Sequence, residues 1–383
     1  MKIAYVNATM VEGHDGVTRV VYKLIEEARK HDLEVIGLGS KIASEPTGVV
    51  PIYKVPSVAL PLQKAYRVAL PGYRPFAKTL RDFRPDIIHL NSPCTLGFSA
   101  MRYAQHFGIP VVATYHTHFP TYPRYYHLQG AEELTWNILR RFYNSLDRTF
   151  VPSPVILEEL QQHGIKRAEY IPNGVDHNLF TPAHRSEEWR KAITKGEDKP
   201  IVLFVSRLVW EKELRTLAET YNILRTMNAN FEFVVVGEGH SRKEFEAMMP
   251  GAHFLGYKSG TELATCYASS DIFVFPSVTE TFGLVTVEAM SSGVVPVAAR
   301  AGGAVGIIED GRSGFLTEPR SAIDMARKIV PLLERPEIRT VIAKEAIRRS
   351  TDFHWDAIAQ KMFTRYEEII AQAGTNKNYA VAV

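Results

Sequence analysis

The chain has 383 residues, of which 45% are hydrophobic and 23% are charged, and its formal net charge is +3. This composition indicates a globular protein, and the length is too great for one ordinary hydrophobic core, so we expect two domains. The small net charge argues against a dominant affinity for nucleic acid. Cys94 and Cys266 lie far apart without the spacing of metal ligands, which favours two packing residues in a reducing compartment over a disulfide or a zinc site.

The N-terminal segment, residues 1–7, becomes polar too early for a signal peptide. No apolar run approaches the roughly 18 residues that a membrane span needs. We therefore expect a cytoplasmic protein, either free or peripheral on the inner face of the membrane.

Short apolar segments alternate with helical patterns in the first half of the chain. Strands are predicted at residues 2–6, 33–38, 86–90 and 111–115, with a helix at 17–31. This alternation is typical of a parallel sheet with helices on both faces.

The same alternation restarts after a polar segment, residues 186–199, which we interpret as a linker. Strands are predicted at residues 201–206, 233–236, 253–255, 272–275 and 295–298, with helices at 212–227 and 357–371. The predicted fold class is α/β, with doubly wound domains at residues 1–185 and 200–352 and a terminal segment at 353–383.

Two glutamates, Glu280 and Glu288, lie eight residues apart across a strand end, a loop and the start of a helix. Carboxylates accept hydrogen bonds from sugar hydroxyls, and the N–H groups of Gly283 and Leu284 at the helix start favour a phosphate. In an arbitrary sequence such glutamates are solvated surface residues. Here residues 275–288, FPSVTETFGLVTVE, and the following AMSSGVVPVAARAGGA resemble the double-glutamate signature of retaining family-4 glycosyltransferases.

The resemblance extends over nearly the whole chain, because phrases at residues 85–89, 151–154, 171–176 and 309–314 match in order and spacing. It implies a GT-B fold, in which two Rossmann-like domains face a central cleft and the terminal helix crosses back to the first domain. Bacterial mannosyl-, glucosyl- and sulfoquinovosyltransferases share this pattern.

Two cations, Arg207 and Lys212, follow the predicted strand at 201–206, where a clamp on a diphosphate is expected. Surface cations are common, but these two match the donor-phosphate pair of the family. Glu213 stands where many members have glycine. The sequence contains no Asp-x-Asp, so the resemblance implies transfer without metal or cofactor.

The resemblance assigns the remaining site residues. His116 matches a histidine at the reaction centre, although His116 and His118 at a strand end also suggest two metal ligands that lack a third, or a polar histidine satisfied at a strand end. Glu280 is expected to orient the donor sugar and Glu288 to hold the ribose. The expected catalytic residues are His116, Arg207, Lys212 and Glu280, and the expected donor-binding residues are Gly16, Gly237, Tyr257, Lys258, Phe282, Gly283, Leu284 and Glu288.

The acceptor side is less defined. Residues 62–84 mix cations with apolar residues, including Lys64, Arg67, Arg74 and Lys78. This stretch fits either an anionic lipid surface or a core helix with a solvated basic face. Tyr122 lies in a region that resembles members acting on lipids.

The expected partners are a nucleotide sugar, a lipid or saccharide acceptor and an anionic membrane surface, with no nucleic acid. Three alternatives remain open: transfer to a soluble sugar, a nucleotide-sugar 2-epimerase of the same architecture, and a non-catalytic scaffold that binds nucleotide sugars. The presence of the charged residues named above disfavours the scaffold, and an epimerase would turn over the donor without an acceptor.

Overall fold

A computed structural model describes residues 1–13, 15–43, 50–59, 67–70, 72, 74–121, 131–227 and 229–381. The chain forms two compact units. The first, unit 1, consists of Met1–Asn173 and Trp355–Val383, and the second, unit 2, is Gly174–His354.

Unit 1 contains a parallel sheet flanked by helices and a separate antiparallel hairpin. Its strands are β1 (Lys2–Met10), β2 (Glu34–Ile42), β3 (Ile52–Lys54), β4 (Ser57–Ala59), β5 (Arg67–Ala69), β6 (Ile87–Leu90), β7 (Val111–Thr114), β8 (Arg148–Val151) and β9 (Ala168–Tyr170). Its first five helices are α1 (Gly16–Lys30), α2 (Arg74–Phe83), α3 (Thr95–Phe107), α4 (Ala131–Tyr143) and α5 (Pro154–Gln162). The strand order in the sheet is β3-β2-β1-β6-β7-β8-β9, and β4 pairs with β5.

Unit 2 repeats this architecture with one six-stranded parallel sheet. Its strands are β10 (Ile201–Val205), β11 (Glu232–Val236), β12 (His253–Phe254), β13 (Ile272–Phe275), β14 (Val295–Ala299) and β15 (Phe315–Thr317). Its helices are α6 (Glu187–Thr194), α7 (Leu214–Thr226), α8 (Arg242–Ala247), α9 (Gly260–Ala268), α10 (Leu284–Ser291), α11 (Ala304–Ile307), α12 (Ala322–Glu334) and α13 (Pro336–Ser350). The strand order is β12-β11-β10-β13-β14-β15.

The central strands are buried on both faces, which explains their continuous apolar sequences. Every residue of β6, β7 and β10 is buried. The strand order reverses direction between β1 and β6 in unit 1 and between β10 and β13 in unit 2. In open parallel sheets ligands bind beyond the carboxyl ends of the strands at such reversals. The loops after these four strands are therefore the expected ligand-binding positions.

The segment predicted as a linker folds as part of unit 2. Within it, the α6 residue Arg190 is buried and donates hydrogen bonds to the Ser269 carbonyl at 2.7 Å and to the Asp271 carboxylate at 2.8 Å. The division between the units lies at residue 173, ahead of the predicted boundary at 185. Ile193 is the one apolar residue of α6 that is buried, and a single apolar position in a polar segment does not distinguish a helix from a linker.

The last helix, α14 (Trp355–Val381), belongs to unit 1. Its Tyr366 hydroxyl lies 2.5 Å from Nδ1 of His89 on β6, and its Arg365 binds the Glu169 carboxylate at 2.7 Å. The return of the chain to the first domain was predicted from residue 353. Among the described residues, no helix combines the length and the apolar character needed to cross a bilayer.

Candidate active site

The carboxyl ends of β10 and β13 bring Lys212 and Glu280 together. Lys212 ends a 3₁₀ turn, Trp210–Lys212, that follows β10, and Glu280 lies on the loop after β13. The Lys212 Nζ atom is 2.5 Å from the Glu280 Oε1 atom, and the two side chains are only 12% and 22% exposed. Partial shielding from water strengthens this attraction relative to a surface pair. The predicted diphosphate cation and the predicted sugar-binding carboxylate are therefore direct neighbours.

Arg207 lies on the same loop but faces solvent. Its Nη2 atom is 2.9 Å from the Glu211 Oε1 atom, and the guanidinium side chain is 57% exposed. An exposed pair of this kind contributes about 0–1 kcal/mol. Arg207 can therefore exchange Glu211 for a phosphate at little energetic cost.

The loop after β13 leads into the N-terminus of α10 through Gly283, the N-cap residue, whose φ is +100°. The first N–H groups of α10, beginning at Leu284, form the positive end of the helix dipole, as predicted for a phosphate site. The Phe282 ring is buried and packs edge-to-face against Phe353 at 5.6 Å between centroids. Phe282 thus anchors the loop by packing, and its part in donor binding stays a prediction.

Glu288 lies in the second turn of α10 and is 1% exposed. The hydroxyl of Tyr267 on α9 donates a hydrogen bond to its Oε2 atom at 3.1 Å. The structure therefore pairs Glu280 with Lys212 and Glu288 with a buried tyrosine that the sequence did not single out. Glu288 is therefore not a solvated surface residue, and its carboxylate is not exposed in an open crevice.

Gly237 and Gly239 support the Arg207 loop through close backbone packing. A Cβ atom at Gly237, whose φ is +137°, would lie 1.8 Å from the Ser206 carbonyl oxygen, and one at Gly239 would lie 2.2 Å from the Leu208 carbonyl oxygen. The loop after β11 thus presses on the backbone on both sides of Arg207. This contact explains why glycine is needed at residue 237, and the predicted role of Gly237 in donor binding stays a prediction.

Gly302 and Gly303 support the Glu280 loop by close backbone packing, and the sequence analysis assigned them no role. The Gly303 N–H donates to the Glu280 carbonyl at 2.9 Å. A Cβ atom at Gly302 would lie 2.2 Å from that carbonyl oxygen, and one at Gly303 would lie 1.8 Å from the Phe282 carbonyl oxygen. A Gly-Gly pair shortly after the buried strand β14 was the sequence signal that could have indicated this close packing.

Tyr257 and Lys258 lie between β12 and α9, at the outer edge of the unit 2 sheet. Tyr257 is 65% exposed, and the Lys258 Nζ atom is 3.4 Å from the Glu262 carboxylate one helical turn away. Since β11 separates β12 from β10, this loop is two strands away from the Lys212 loop.

In unit 1, His116 follows β7, and its Nε2 atom is 3.0 Å from the Oδ1 atom of Asn91, which follows β6. Burial lowers the pKa of His116 to about 4, against a smaller opposing effect of the Asp15 carboxylate. Asp15 caps α1, and Gly16 is the first residue of that helix, whereas Gly13 has the positive φ of +69°. The loops after β1, β6 and β7 thus converge around a neutral histidine.

His118 is buried and has a separate partner. Its Nε2 atom lies 2.9 Å from the Glu159 carboxylate on α5. Across the part of the chain that the structure describes, no three His, Cys, Asp or Glu residues are grouped so that they could hold a metal ion. Lys64 and Tyr122 lie outside the described residues.

Acidification is expected to destabilise unit 1 between about pH 6.5 and pH 4. Burial lowers the pKa of His116 to about 4 and that of His89 to about 3, while both titrate near 6.5 in the unfolded chain. In this range the unfolded state binds more protons, so stability falls as pH falls, by roughly 1.4 kcal/mol per pH unit for each histidine. Urea unfolding of wild type and His116→Asn at pH 7, 6 and 5 measures this dependence.

The His116→Asn variant is expected to show the shallower pH dependence, and His106→Asn, which changes an exposed histidine, should match wild type. Equal pH dependence in wild type and His116→Asn would contradict the assignment.

Most of the chain matches two glycosyltransferase families. Residues 185–349 match the family described as Glycosyl transferases group 1, and residues 14–179 match Glycosyltransferase Family 4. A GDP-mannose-dependent alpha-mannosyltransferase of Corynebacterium glutamicum is 33% identical over 379 residues, covering 97% of this chain and 90% of that protein. Sulfoquinovosyl transferase SQD2 of Arabidopsis thaliana is 38% identical over 287 residues, which are 73% of this chain but only 56% of the length of SQD2.

The fold is also found in solved structures. The crystal structure of HepE from Anabaena in complex with UDP and glucose aligns with a TM-score of 0.76 at 20% identity, covering 96% of this chain and 99% of that one. Two Rossmann-like units with these site loops define a glycosyltransferase of GT-B fold. The chain belongs to the family-4 glycosyltransferases.

Proposed function

We propose that this protein is a retaining hexosyltransferase that uses a nucleotide-diphosphate sugar, either GDP-mannose or a UDP-hexose, and forms an α-glycosidic bond without metal. The acceptor in this proposal is a hydroxyl group of a lipid or a lipid-linked saccharide. The observation that carries the proposal is the Lys212–Glu280 pair at the carboxyl ends of β10 and β13. The GDP-mannose dependence of the Corynebacterium relative and the UDP bound to HepE support the two donor classes.

Donor binding exchanges the partners of the charged groups. The Lys212 ammonium and the Arg207 guanidinium bind the diphosphate. The hydroxyls of the sugar then donate hydrogen bonds to the Glu280 carboxylate, which Lys212 no longer occupies. As the bond between the anomeric carbon and the phosphate oxygen breaks, negative charge grows on the diphosphate. Lys212, Arg207 and the N-terminus of α10 stabilise that charge.

Retention follows from a front-face route. The acceptor oxygen forms its bond to the anomeric carbon on the side from which the diphosphate departs, and the acceptor proton passes to the departing phosphate oxygen. His116, with its pKa of about 4, remains neutral at pH 7 and contributes hydrogen bonding without charge. Positioning and electrostatic stabilisation supply most of the rate.

Product stereochemistry tests the proposal. Transfer from GDP-α-mannose or UDP-α-glucose to a glycerolipid or to a polyprenyl-linked saccharide should give an α-linked product by NMR of the anomeric proton. A β-linked product would overturn retention. Donor turnover to a C2-epimerised nucleotide sugar in the absence of acceptor would identify an epimerase.

Transfer is expected to persist in excess chelator. The sequence has no Asp-x-Asp, and Arg207 and Lys212 supply the positive charge that a metal would otherwise bring to the diphosphate. Initial rates with and without EDTA measure this, with a metal-dependent glycosyltransferase as the positive control. Loss of transfer that manganese restores would refute metal independence.

The lipid-acceptor part of the proposal is supported by α2. Arg74, Lys78 and Arg81 recur at i, i+4 and i+7 and are exposed, while Phe76 and Leu80 are buried in unit 1. One face of α2 therefore packs into the core, and the opposite face presents cations to solvent. Both alternatives drawn from the sequence are compatible with this arrangement.

Arg67 does not belong to this basic face. Its guanidinium binds the Ser57 hydroxyl at 2.8 Å and the Ser57 carbonyl at 2.6 Å across the β4–β5 hairpin. Arg81 therefore takes the place of Arg67 in the proposed lipid contact.

Changing Arg74, Lys78 and Arg81 to serine is expected to abolish salt-sensitive binding to anionic vesicles. Each cation near such a surface contributes about 1 kcal/mol, and the attraction fades as salt shortens the Debye length. Co-sedimentation with phosphatidylglycerol and phosphatidylcholine vesicles at low and high salt measures this. The control changes three exposed lysines elsewhere, Lys166, Lys191 and Lys344, to serine. Negligible sedimentation of wild type with both lipids at low salt would favour a soluble acceptor.

A further inference from the structure

The residue after Lys212 has an unusual backbone conformation. Glu213 has φ 55° and ψ 41°, in the left-handed region that glycine adopts readily and that a glutamate rarely occupies. It joins the 3₁₀ turn that carries Lys212 to the first residue of α7, and its carbonyl accepts the Leu217 N–H at 3.1 Å. A rotation about φ of this residue would move Lys212 relative to α7. The position of the Lys212 ammonium therefore depends on the conformation of Glu213.

The Glu213 side chain forms an ion pair with Arg320, which also has a left-handed backbone conformation. The Glu213 Oε1 atom lies 3.0 Å from the Nε atom of Arg320, whose φ is 60°. Arg320 lies between β15 and α12, directly before Ser321, the N-cap of α12. Glu213 is 14% exposed at its side chain, although Arg320 is 63% exposed. The ion pair therefore ties the Lys212 loop to a neighbouring loop through a largely shielded carboxylate.

We propose that the Glu213–Arg320 ion pair is a positioning device for Lys212, which stabilises a backbone conformation that a glycine would adopt unaided. This inference rests on the proposed function, because it assumes that Lys212 binds the donor diphosphate. In this role both residues act through the position of Lys212. Their contribution is therefore to the affinity for the diphosphate and to kcat, without a new contact to the substrate.

The test is a double-mutant cycle of Arg320→Ala and Glu213→Gly, read out by calorimetric titration with GDP and UDP and by transfer kinetics. Arg320→Ala alone is expected to weaken binding of the preferred nucleoside diphosphate about fivefold, the equivalent of ~1 kcal/mol. In the Glu213→Gly background the same change should have no further effect, because glycine does not need the ion pair to hold the turn. Arg320→Lys, which keeps the charge, should recover part of the affinity.

Arg312→Ala is the matched control, because Arg312 is similarly exposed and pairs with Glu345 at 3.0 Å in the same unit. It should leave nucleotide affinity unchanged. Arg320→Ala with wild-type affinity, or with an equal loss in both backgrounds, overturns the positioning role, and so does a loss of thermal stability alone. If Lys212→Ala also binds GDP and UDP as wild type does, the donor site itself is misassigned, which separates that failure from the failure of the ion pair.

Discussion

Replacing Lys212 by alanine is expected to lower kcat at saturating donor by about two or more orders of magnitude. Lys212 is the shielded cation of the site, and loss of a group that stabilises transition-state charge costs roughly 3 kcal/mol. Arg207→Ala should have the same effect, because Arg207 is the second cation proposed to bind the diphosphate. Its present partner, Glu211, lies within the same loop. Steady-state transfer rates at saturating donor measure both effects.

Two further variants separate catalysis from folding. Lys212→Ala leaves Glu280 without its cation, so its thermal unfolding must be compared with wild type. Lys212→Arg keeps the charge and should retain part of the activity, whereas Lys344→Ala removes an exposed cation of unit 2 and should be neutral. Full activity of both Lys212→Ala and Arg207→Ala at saturating donor would refute the assignment of the diphosphate site.

The second large effect is expected from Gly303→Ala, which should destabilise unit 2 and abolish transfer. The Ala Cβ atom would lie 1.8 Å from the Phe282 carbonyl oxygen, and since that neighbour is backbone, the Glu280 loop must move. Overpacking of this kind costs about 1–3 kcal/mol or more. Gly303 has φ −66°, so alanine meets no backbone strain there and the close contact alone is tested.

Gly374→Ala is the matched control for this change. Gly374 lies in α14 with no atom within 4 Å of a built Cβ, so alanine there should be neutral or stabilise the helix. Thermal unfolding and transfer rates of both variants provide the comparison. A Gly303→Ala protein with wild-type stability and activity would show that the Glu280 loop tolerates displacement.

Much of the fold follows from local sequence alone. Buried strands such as β10 and β13 are continuous apolar runs, and the period change between these runs and helices such as α7 predicts the parallel sheets. The short strands β3, β8, β9 and β15 and the β4–β5 hairpin were not predicted. Strands β3, β4 and β9 contain no buried residue, so no continuous apolar run marks them in the sequence.

The sequence predicted which residues form the site, but it did not predict which of their side chains contact each other. The resemblance in residues 275–288 identifies Glu280 and Glu288, and the position after a strand identifies Arg207 and Lys212. Nothing local indicates that Lys212 and Glu280 are neighbours while Glu288 is buried beside Tyr267. These contacts join residues on different loops and helices, and they depend on which strands are adjacent.

The sequence by itself determined the α/β class, the two successive parallel sheets and the chemical character of the site, because apolar periodicity and motif spacing are local properties of the chain. Tertiary structure alone decided that residues 187–194 belong to unit 2 through Arg190, that Gly303 supports Glu280, and that Arg320 reaches Glu213. Those outcomes depend on close contacts between segments distant in sequence. Such contacts form only when the β-strands have assembled in their final order.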